Sequence, residues 1–316
     1  MLVVAALGGN ALLRRGERAD AETQRRNVAV AVGALADIAT EHRLVVTHGN
    51  GPQVGLLALQ AEAYAQVTPY PLDVLGAESE GMIGYLLEQG LENRLADRRA
   101  ATLLTQVIVD ADDPAFSNPT KPVGPVYERT EAERLARERG WTVAADGQKW
   151  RRVVPSPEPR RIVELEAIRT LIEAGLIVVC VGGGGVPVVV NGQGCLRGLE
   201  AVIDKDLAAA MLARELRADA LLLLTDVPAI EADWGLPTAR TLAVISADQL
   251  GALGLAAGSM GPKAVAAARF AQATGAVAAI GALADAPAIL AGRAGTRVLP
   301  DGSSAIELQR RRRAEL

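Results

Sequence analysis

The sequence predicts an α/β fold, a mostly parallel sheet covered on both faces by helices. Three observations predict it. Apolar runs of strand length recur along the chain, longer helical patterns separate them, and glycine clusters follow directly on several of the strands. Strands that are apolar throughout, rather than at alternate positions, are buried on both faces, as in a parallel sheet between two helical layers.

Leu2–Leu7 is the first such run and reads as a buried strand. A helical period follows over Ala21–His42, then a strand over Arg43–His48. Gln53–Gln66 and Leu72–Asp97 read as helices, and Ala101–Asp110 as the next strand. A helix near Arg160–Ala174 precedes a strand at Leu176–Val181, and a helix over Asp204–Leu216 precedes a strand at Ala220–Thr225. A helix over Lys263–Thr274 and a strand at Ala276–Ile280 close the series, while the glycine-rich Val190–Leu199 reads as a hairpin. Ligands of such sheets sit outside the carboxyl ends of the strands.

One stretch breaks the alternation. Between Asp110 and Pro159 the chain carries Pro114, Pro119, Pro122, Pro125, Pro155, Pro157 and Pro159 among charged clusters. A connection this long is uncommon in a compact domain unless it has a task of its own. Residues 111–159 are therefore expected to form a small subdomain or lid inserted into one domain spanning residues 1–316. The arginine run Arg310–Arg313 reads as a disordered, solvated tail over 310–316.

Composition narrows the function. The chain of 316 residues is 50% hydrophobic and 22% charged, enough for a large core. Aromatic residues are only 3%, which leaves little material for stacking on single-stranded nucleic acid, and a net charge of −4 argues against binding polyanions generally. Two cysteines, Cys180 and Cys195, and two histidines, His42 and His48, are too few for a disulfide framework or a structural zinc site. The amino terminus has no basic leader and no apolar run reaches membrane-spanning length, so a soluble, cytoplasmic protein is expected.

Only four of the 33 Lys and Arg residues are lysines: Lys121, Lys149, Lys205 and Lys263. A lysine is a compact point charge on a flexible stem and an arginine a planar fork, so the two do not substitute at a tight site. Three glycine clusters accompany the lysines. Gly8-Gly9-Asn10 follows the first strand, and His48-Gly49-Asn50-Gly51-Pro52-Gln53 joins the second strand to a helix. Gly182-Gly183-Gly184-Gly185 follows the strand at Leu176–Val181. Glycine lets backbone N–H groups approach a phosphate closely, and a helix N-terminus adds free donors. The tetraglycine runs into Val186–Val190, a second extended segment, so it is not the dinucleotide fingerprint, which opens a helix. A Walker A loop is also absent. Lys205, beside Asp204, and Lys263, after Gly258–Pro262, both stand at helix starts, and Lys121 lies in the insertion. Positioned positive charge around a moving phosphoryl group is what phosphoryl transfer requires. His48 reads as a hydrogen-bonded structural histidine ahead of a general base, and an ion pair of Lys205 with Asp204 or Asp206 is the plain alternative for that lysine.

Taken in order, the segments Ala6–Leu13, Val45–Gly55, Thr105–Asp110, Asn118–Pro125, Trp150–Pro159, Val181–Val189, Glu200–Ala209, Leu223–Val227 and Gly258–Lys263 resemble the carbamate kinases of the amino acid kinase family. NPTKP and VVPSP within the insertion separate this group from other amino acid kinases. The resemblance implies an open αβα sandwich with a protruding lid, and reversible phosphoryl transfer between ATP and carbamate with Mg²⁺, run toward ATP synthesis in arginine catabolism. It implies that Gly8, Gly9, Asn10, Gly49, Asn50, Gly51 and Gly182, Gly183, Gly184 and Gly185 hold carbamate and the transferring phosphate. Lys121 would close over carbamoyl phosphate, Lys205 would neutralise charge with Asp204 organising it, and Lys263 would contact the nucleotide phosphates. Thr225, Asp226 and Met260 would border the nucleotide, and the partner would be a second copy in a homodimer. A paralogue acting on another small carboxylate or carbamate, and a silent nucleotide-binding regulator, are the other readings. The presence of Lys121, Lys205, Lys263 and Asp204 together weighs against the silent one. Lys149 reads as a surface residue.

Overall fold

The first two strands define the frame. In the computed structural model, which describes residues 1–302 apart from 15, 65 and 256–259, a central sheet carries eight strands. They are β1 (Leu2–Leu7), β2 (Arg43–His48), β3 (Ala100–Thr102), β4 (Ile177–Val179), β5 (Ala220–Thr225), β6 (Val244–Ser246), β7 (Val277–Ala282) and β8 (Thr296–Leu299). Their order is β6-β8-β7-β5-β1-β2-β4-β3, and every pairing is parallel except β7 with β8.

β1 lies inside the sheet and is buried along its length, as its uninterrupted apolar sequence requires. Its alternate residues serve two separate cores, because successive side chains leave a strand on opposite faces. Val4 and Ala6 pack with Leu212 and Ala209 of the helix Lys205–Glu215 and with Phe270 of the helix Met260–Thr274. Val3, Ala5 and Leu7 pack with Leu35 and Ile38 of the helix Ala21–Glu41 and with Ile83 and Leu87 of the helix Leu72–Arg94. Helices thus cover both faces, and the parallel strands bring the ends of β1, β2, β4 and β5 to one edge.

Two expected elements are corrected. Ala101–Asp110 is not one strand. β3 belongs to the central sheet, whereas Gln106–Ile108 belongs to a second sheet with Val186–Val190, Leu196–Gly198 and Arg161–Ile162. The break serves the glycine loop: Leu103 N–H donates to the Val179 carbonyl, the Thr105 carbonyl accepts from Val186, and the Thr105 hydroxyl accepts from Val181 N–H. The helix expected from Arg160 starts at Leu165, because Arg161–Ile162 pairs with Val107–Ile108 immediately after Pro159. The expected hairpin is present, Val188–Val190 pairing antiparallel with Leu196–Gly198, and Cys195 at its turn is exposed. The short strands β6 and β8, and the pair Glu231–Ala232 with Arg240–Thr241, are too brief for a periodic signal.

Within the proline-rich stretch, the strands Lys121–Tyr127, Lys149–Val154 and Thr142–Asp146 form a separate antiparallel sheet with the helix Arg129–Arg139 on it. The first strand bulges at Gly124, whose φ of +71° suits glycine. There it meets Gly55 of the helix Gly51–Ala63, where a Cβ would come within 2.5 Å of the Gly124 Cα. Lys149 is exposed and pairs with Glu128. Residues 310–316 lie outside the described residues. Among those described, no helix is long and apolar enough to cross a membrane.

Candidate functional site

Three glycine turns meet at the sheet edge. Gly8 N–H continues the ladder to the Leu224 carbonyl of β5, and Gly49 N–H continues it to Leu7 of β1. Gly49 is pressed between two neighbours: a Cβ there would lie 2.8 Å from Gly9 N and 2.9 Å from Lys205 Cδ. Gly51 opens the helix Gly51–Ala63, and Asn50, just before it, donates its carboxamide to Ser79 Oγ at 2.8 Å. Gly9 and Asn10 lie in the short helix Gly9–Leu12, and the Asn10 side chain falls outside the described residues.

The Gly182–Gly185 turn is the most confined. A Cβ on Gly183 would strike the Asn50 carboxamide at 2.2 Å, and one on Gly184 the Ile203 carbonyl at 2.6 Å, both at positive φ. A Cβ on Gly182 would lie 2.4 Å from His48 Nε2 and 2.7 Å from Glu80 Cγ. Glycine is therefore required for space as much as for backbone angle. His48 is enclosed; burial, against a weak bond to the Gly49 carbonyl and with Lys205 nearby, lowers its pKa to about 4. A neutral imidazole wedged between two loops has a structural position.

The lysines converge above these turns. Lys205 Nζ lies 2.6 Å from Asp206 Oδ1, and Lys263 Nζ 3.2 Å from Asp206 Oδ2. Lys121, reaching across from the separate sheet, places Nζ 2.6 Å from Asp204 Oδ2. Asp204 also caps the helix Lys205–Glu215, its Oδ1 accepting from the N–H groups of Asp206 and Leu207. Burial pushes the Asp204 carboxyl up, but Lys121, Lys205 and the Leu207 N–H outweigh it and hold it at about 2. The charge of Lys205, then burial, lower Lys263, against the pull of Asp206. Three ammonium groups thus share two carboxylates at a pair of helix N-termini, an excess of positive charge that an anion would relieve.

Thr225 ends β5 beside Gly8, its hydroxyl donating to Asp226 Oδ1 at 3.1 Å. Met260 begins the helix that carries Lys263 and packs partly on the core. Gly258 and Ser259 lie outside the described residues.

The amino acid kinase family model matches residues 1–281. The chain belongs to the amino acid kinase family, among the carbamate kinases. Carbamate kinase of Haemophilus influenzae is 55% identical over 299 residues, covering 94% of this chain and 96% of that one. The Rhizobium meliloti carbamate kinase is 56% identical, with 94% and 92% covered. Among solved structures, carbamate kinase from Giardia lamblia bound to AMP-PNP aligns with a TM-score of 0.86 at 44% identity, over 95% of this chain and 98% of that chain.

In this kinase the structure groups Lys121, Lys205, Lys263 and Asp204 with the three glycine turns, and sets Thr225 at the same edge. The sequence leaves Lys205 a choice of Asp204 or Asp206, and the structure makes it. Asp206, not Asp204, binds Lys205, and it binds Lys263 as well. Two further residues lie outside the motifs. Ser79 receives Asn50, and Glu80 accepts from Gly182 N–H at 2.8 Å and from Thr105 N–H at 3.3 Å. Both are polar residues on the otherwise apolar face of Leu72, Leu75, Ile83, Leu87 and Leu91, and that misplacement is the signal that could have found them.

Proposed function

We propose that this chain catalyses reversible phosphoryl transfer between ATP and carbamate, giving ADP and carbamoyl phosphate. The observation that carries the reading is the part-buried cluster of Lys121, Lys205 and Lys263 around two aspartates, with the Lys205 stem against Gly49. Transfer through a loose transition state needs charge placed around the moving group rather than a covalent nucleophile. In the ATP-forming direction the bond from carbamate oxygen to phosphorus breaks. The phosphoryl group moves in line to the terminal oxygen of ADP, and carbamate leaves.

Gly8, Gly9, Asn10, Gly49, Asn50, Gly51 and Gly182–Gly185 hold carbamate and the transferring phosphate in this reading, chiefly through backbone N–H groups. Lys205 neutralises charge on that phosphate, fixed by Asp206 and supported by Asp204, and Lys263 meets the nucleotide phosphates. Thr225, Asp226 and Met260 border the nucleotide. Residues 111–159 act as a lid: Lys121 crosses from it to Asp204, and the Gly55–Gly124 contact is where it rests on the core. Asp204 and Asp206 are occupied by lysines, and no group of three potential ligands occurs among the described residues. Mg²⁺ enters this reading with the nucleotide substrate, where it would help neutralise the phosphate charge.

We place the enzyme in the cytoplasm as a homodimer, working toward ATP synthesis in arginine catabolism. Exposed Met82 and Tyr85 on the helix Leu72–Arg94, with exposed Leu104 beside it, support a dimer contact. The deciding experiment measures ATP formed from ADP with carbamoyl phosphate and, separately, with acetyl phosphate. ATP from carbamoyl phosphate in clear preference is expected; none from it overturns the proposal.

A further inference from the structure

The tetraglycine turn is entered through a strained residue. Val181 has φ of +52°, a conformation that a β-branched side chain adopts only when its surroundings impose it. Two bonds impose it here. Val181 N–H donates to Thr105 Oγ1 at 3.0 Å, and the next N–H, that of Gly182, donates to Glu80 Oε1 at 2.8 Å. The other Glu80 oxygen accepts from Thr105 N–H, so one buried carboxyl ties the turn to the residue that holds its entry. Glu80 is 1% exposed and stands on the rigid helix Leu72–Arg94. The preceding residue, Ser79, holds Asn50, against which Gly183 is packed. One helical turn therefore supports two glycine loops from behind.

We infer that Glu80 is a positioning residue that fixes the Gly182–Gly185 turn in the geometry that receives the transferring phosphoryl group. This rests on the function proposed above. Glu80 touches no substrate and acts through the Gly182 and Thr105 N–H groups. A fixed negative charge behind a phosphate loop would oppose its task, and burial removes that charge: it raises the carboxyl to about 8, against the two N–H bonds and with Glu164 adding to the rise. The other titratable groups facing it leave the neutral range undisturbed. His48, at the end of β2, is already deprotonated, and burial holds the Cys180 thiol, next to β4, well above its usual value. Glu80 is then a neutral hydrogen-bonding strut near pH 7 and becomes an anion behind the loop at alkaline pH.

Two variants separate these roles. Glu80→Leu keeps most of the volume and removes both acceptors, while Glu80→Gln keeps a neutral carbonyl for Gly182. In Glu80→Leu, kcat is expected to fall about tenfold or more, as for a buried donor left unpaired. The KM for carbamoyl phosphate should rise and the KM for ADP hold. Glu80→Gln should recover the part of the loss that belongs to the Gly182 bond, its amide donor leaving Thr105 N–H without an acceptor, and the rise of KM for carbamoyl phosphate above about pH 8 in the wild type should be missing from it. Hydrogen exchange at the Gly182 amide, which needs no activity, should accelerate in Glu80→Leu and stay slow in Glu80→Gln. Equal impairment of both variants, unchanged exchange in Glu80→Leu, or a wild-type pH profile in Glu80→Gln overturns the inference. If Glu80→Leu does not fold, exchange in Glu80→Gln decides: the Gly182 amide stays protected while the Thr105 amide, now facing an amide donor, exchanges faster, and unchanged exchange at Thr105 overturns the inference. A wild-type protein that forms no ATP from carbamoyl phosphate defeats the proposed function instead, and leaves the exchange experiment standing.

Discussion

Asp204→Asn separates the two tasks that Asp204 performs with its two oxygens. Oδ1 caps the helix Lys205–Glu215, and an asparagine oxygen caps about as well as aspartate. Oδ2 receives Lys121 at 2.6 Å, and there the substitution sets an amide donor against an ammonium. The folded carboxyl titrates at about 2, against 3.8 for the same group in the unfolded chain. Because the folded value is the lower one, the linked stability is fully present above the unfolded value and disappears as pH falls through the folded one. A depression of nearly two units corresponds to about 2 kcal/mol. For a chain of this size the variant should therefore melt a few degrees below wild type at pH 7. The measurement is the difference in Tm between the two proteins from pH 7.5 down to the acid limit of folding. The gap should stay constant to about pH 5 and narrow only below about pH 4. With Lys121 no longer held over the turns, kcat for ATP formation should also fall about tenfold or more. No gap at neutral pH refutes the reasoning, because Lys121 would then contribute nothing at Asp204. A gap that closes between pH 7 and 5 refutes it too, since the titrating group would be another residue.

Lys205→Arg keeps the charge but cannot keep its place. The stem already runs 2.9 Å from where a Gly49 Cβ would stand, and the ammonium is clamped by Asp206, so a planar fork has no room to reach the same point. Loss of about a hundredfold in kcat for ATP formation is expected, and wild-type turnover removes lysine geometry from the account. Two glycine substitutions should move in opposite directions. Gly184→Ala drives a methyl against the Ile203 carbonyl at φ of +98°, and should lower Tm and abolish most activity. Gly33→Ala has open space in the middle of the helix Ala21–Glu41 and should gain about 0.5–1 kcal/mol with kinetics unchanged. Paired calorimetry and turnover measurements test both, and a tolerated Gly184→Ala sinks the claim of a close-packed turn.

What the sequence makes legible follows from where the physics is local. The bounds of β1, β2 and β5 agree with their apolar runs because each run is buried on both faces and ends at a glycine, or at Thr225-Asp226. The common location of the glycine turns is equally legible: once the strands are parallel, topology alone brings their carboxyl ends to one edge. The break between β3 and Gln106–Ile108 is not legible, since nothing in the apolar spacing of Ala101–Asp110 says that Thr105 is bonded to a turn some 76 positions away. The choice between Asp204 and Asp206 as the partner of Lys205 has the same origin. Both flank Lys205, and their side chains diverge only because Asp204 stays extended, at φ −71° and ψ 120°, as the helix cap, while Asp206 is already inside the first turn. The cap spends one oxygen on its own helix and turns the other toward Lys121, which leaves Asp206 to hold Lys205 and Lys263 together. Which carboxylate meets which lysine is thus set by a single backbone conformation at the helix boundary. Glu80 marks the opposite case. Its interactions are long-range, yet a carboxyl on the apolar stripe of a helix cannot be placed in a core without a partner, so its position in the heptad-like pattern is itself evidence that something on the far side of the sheet edge is held by it.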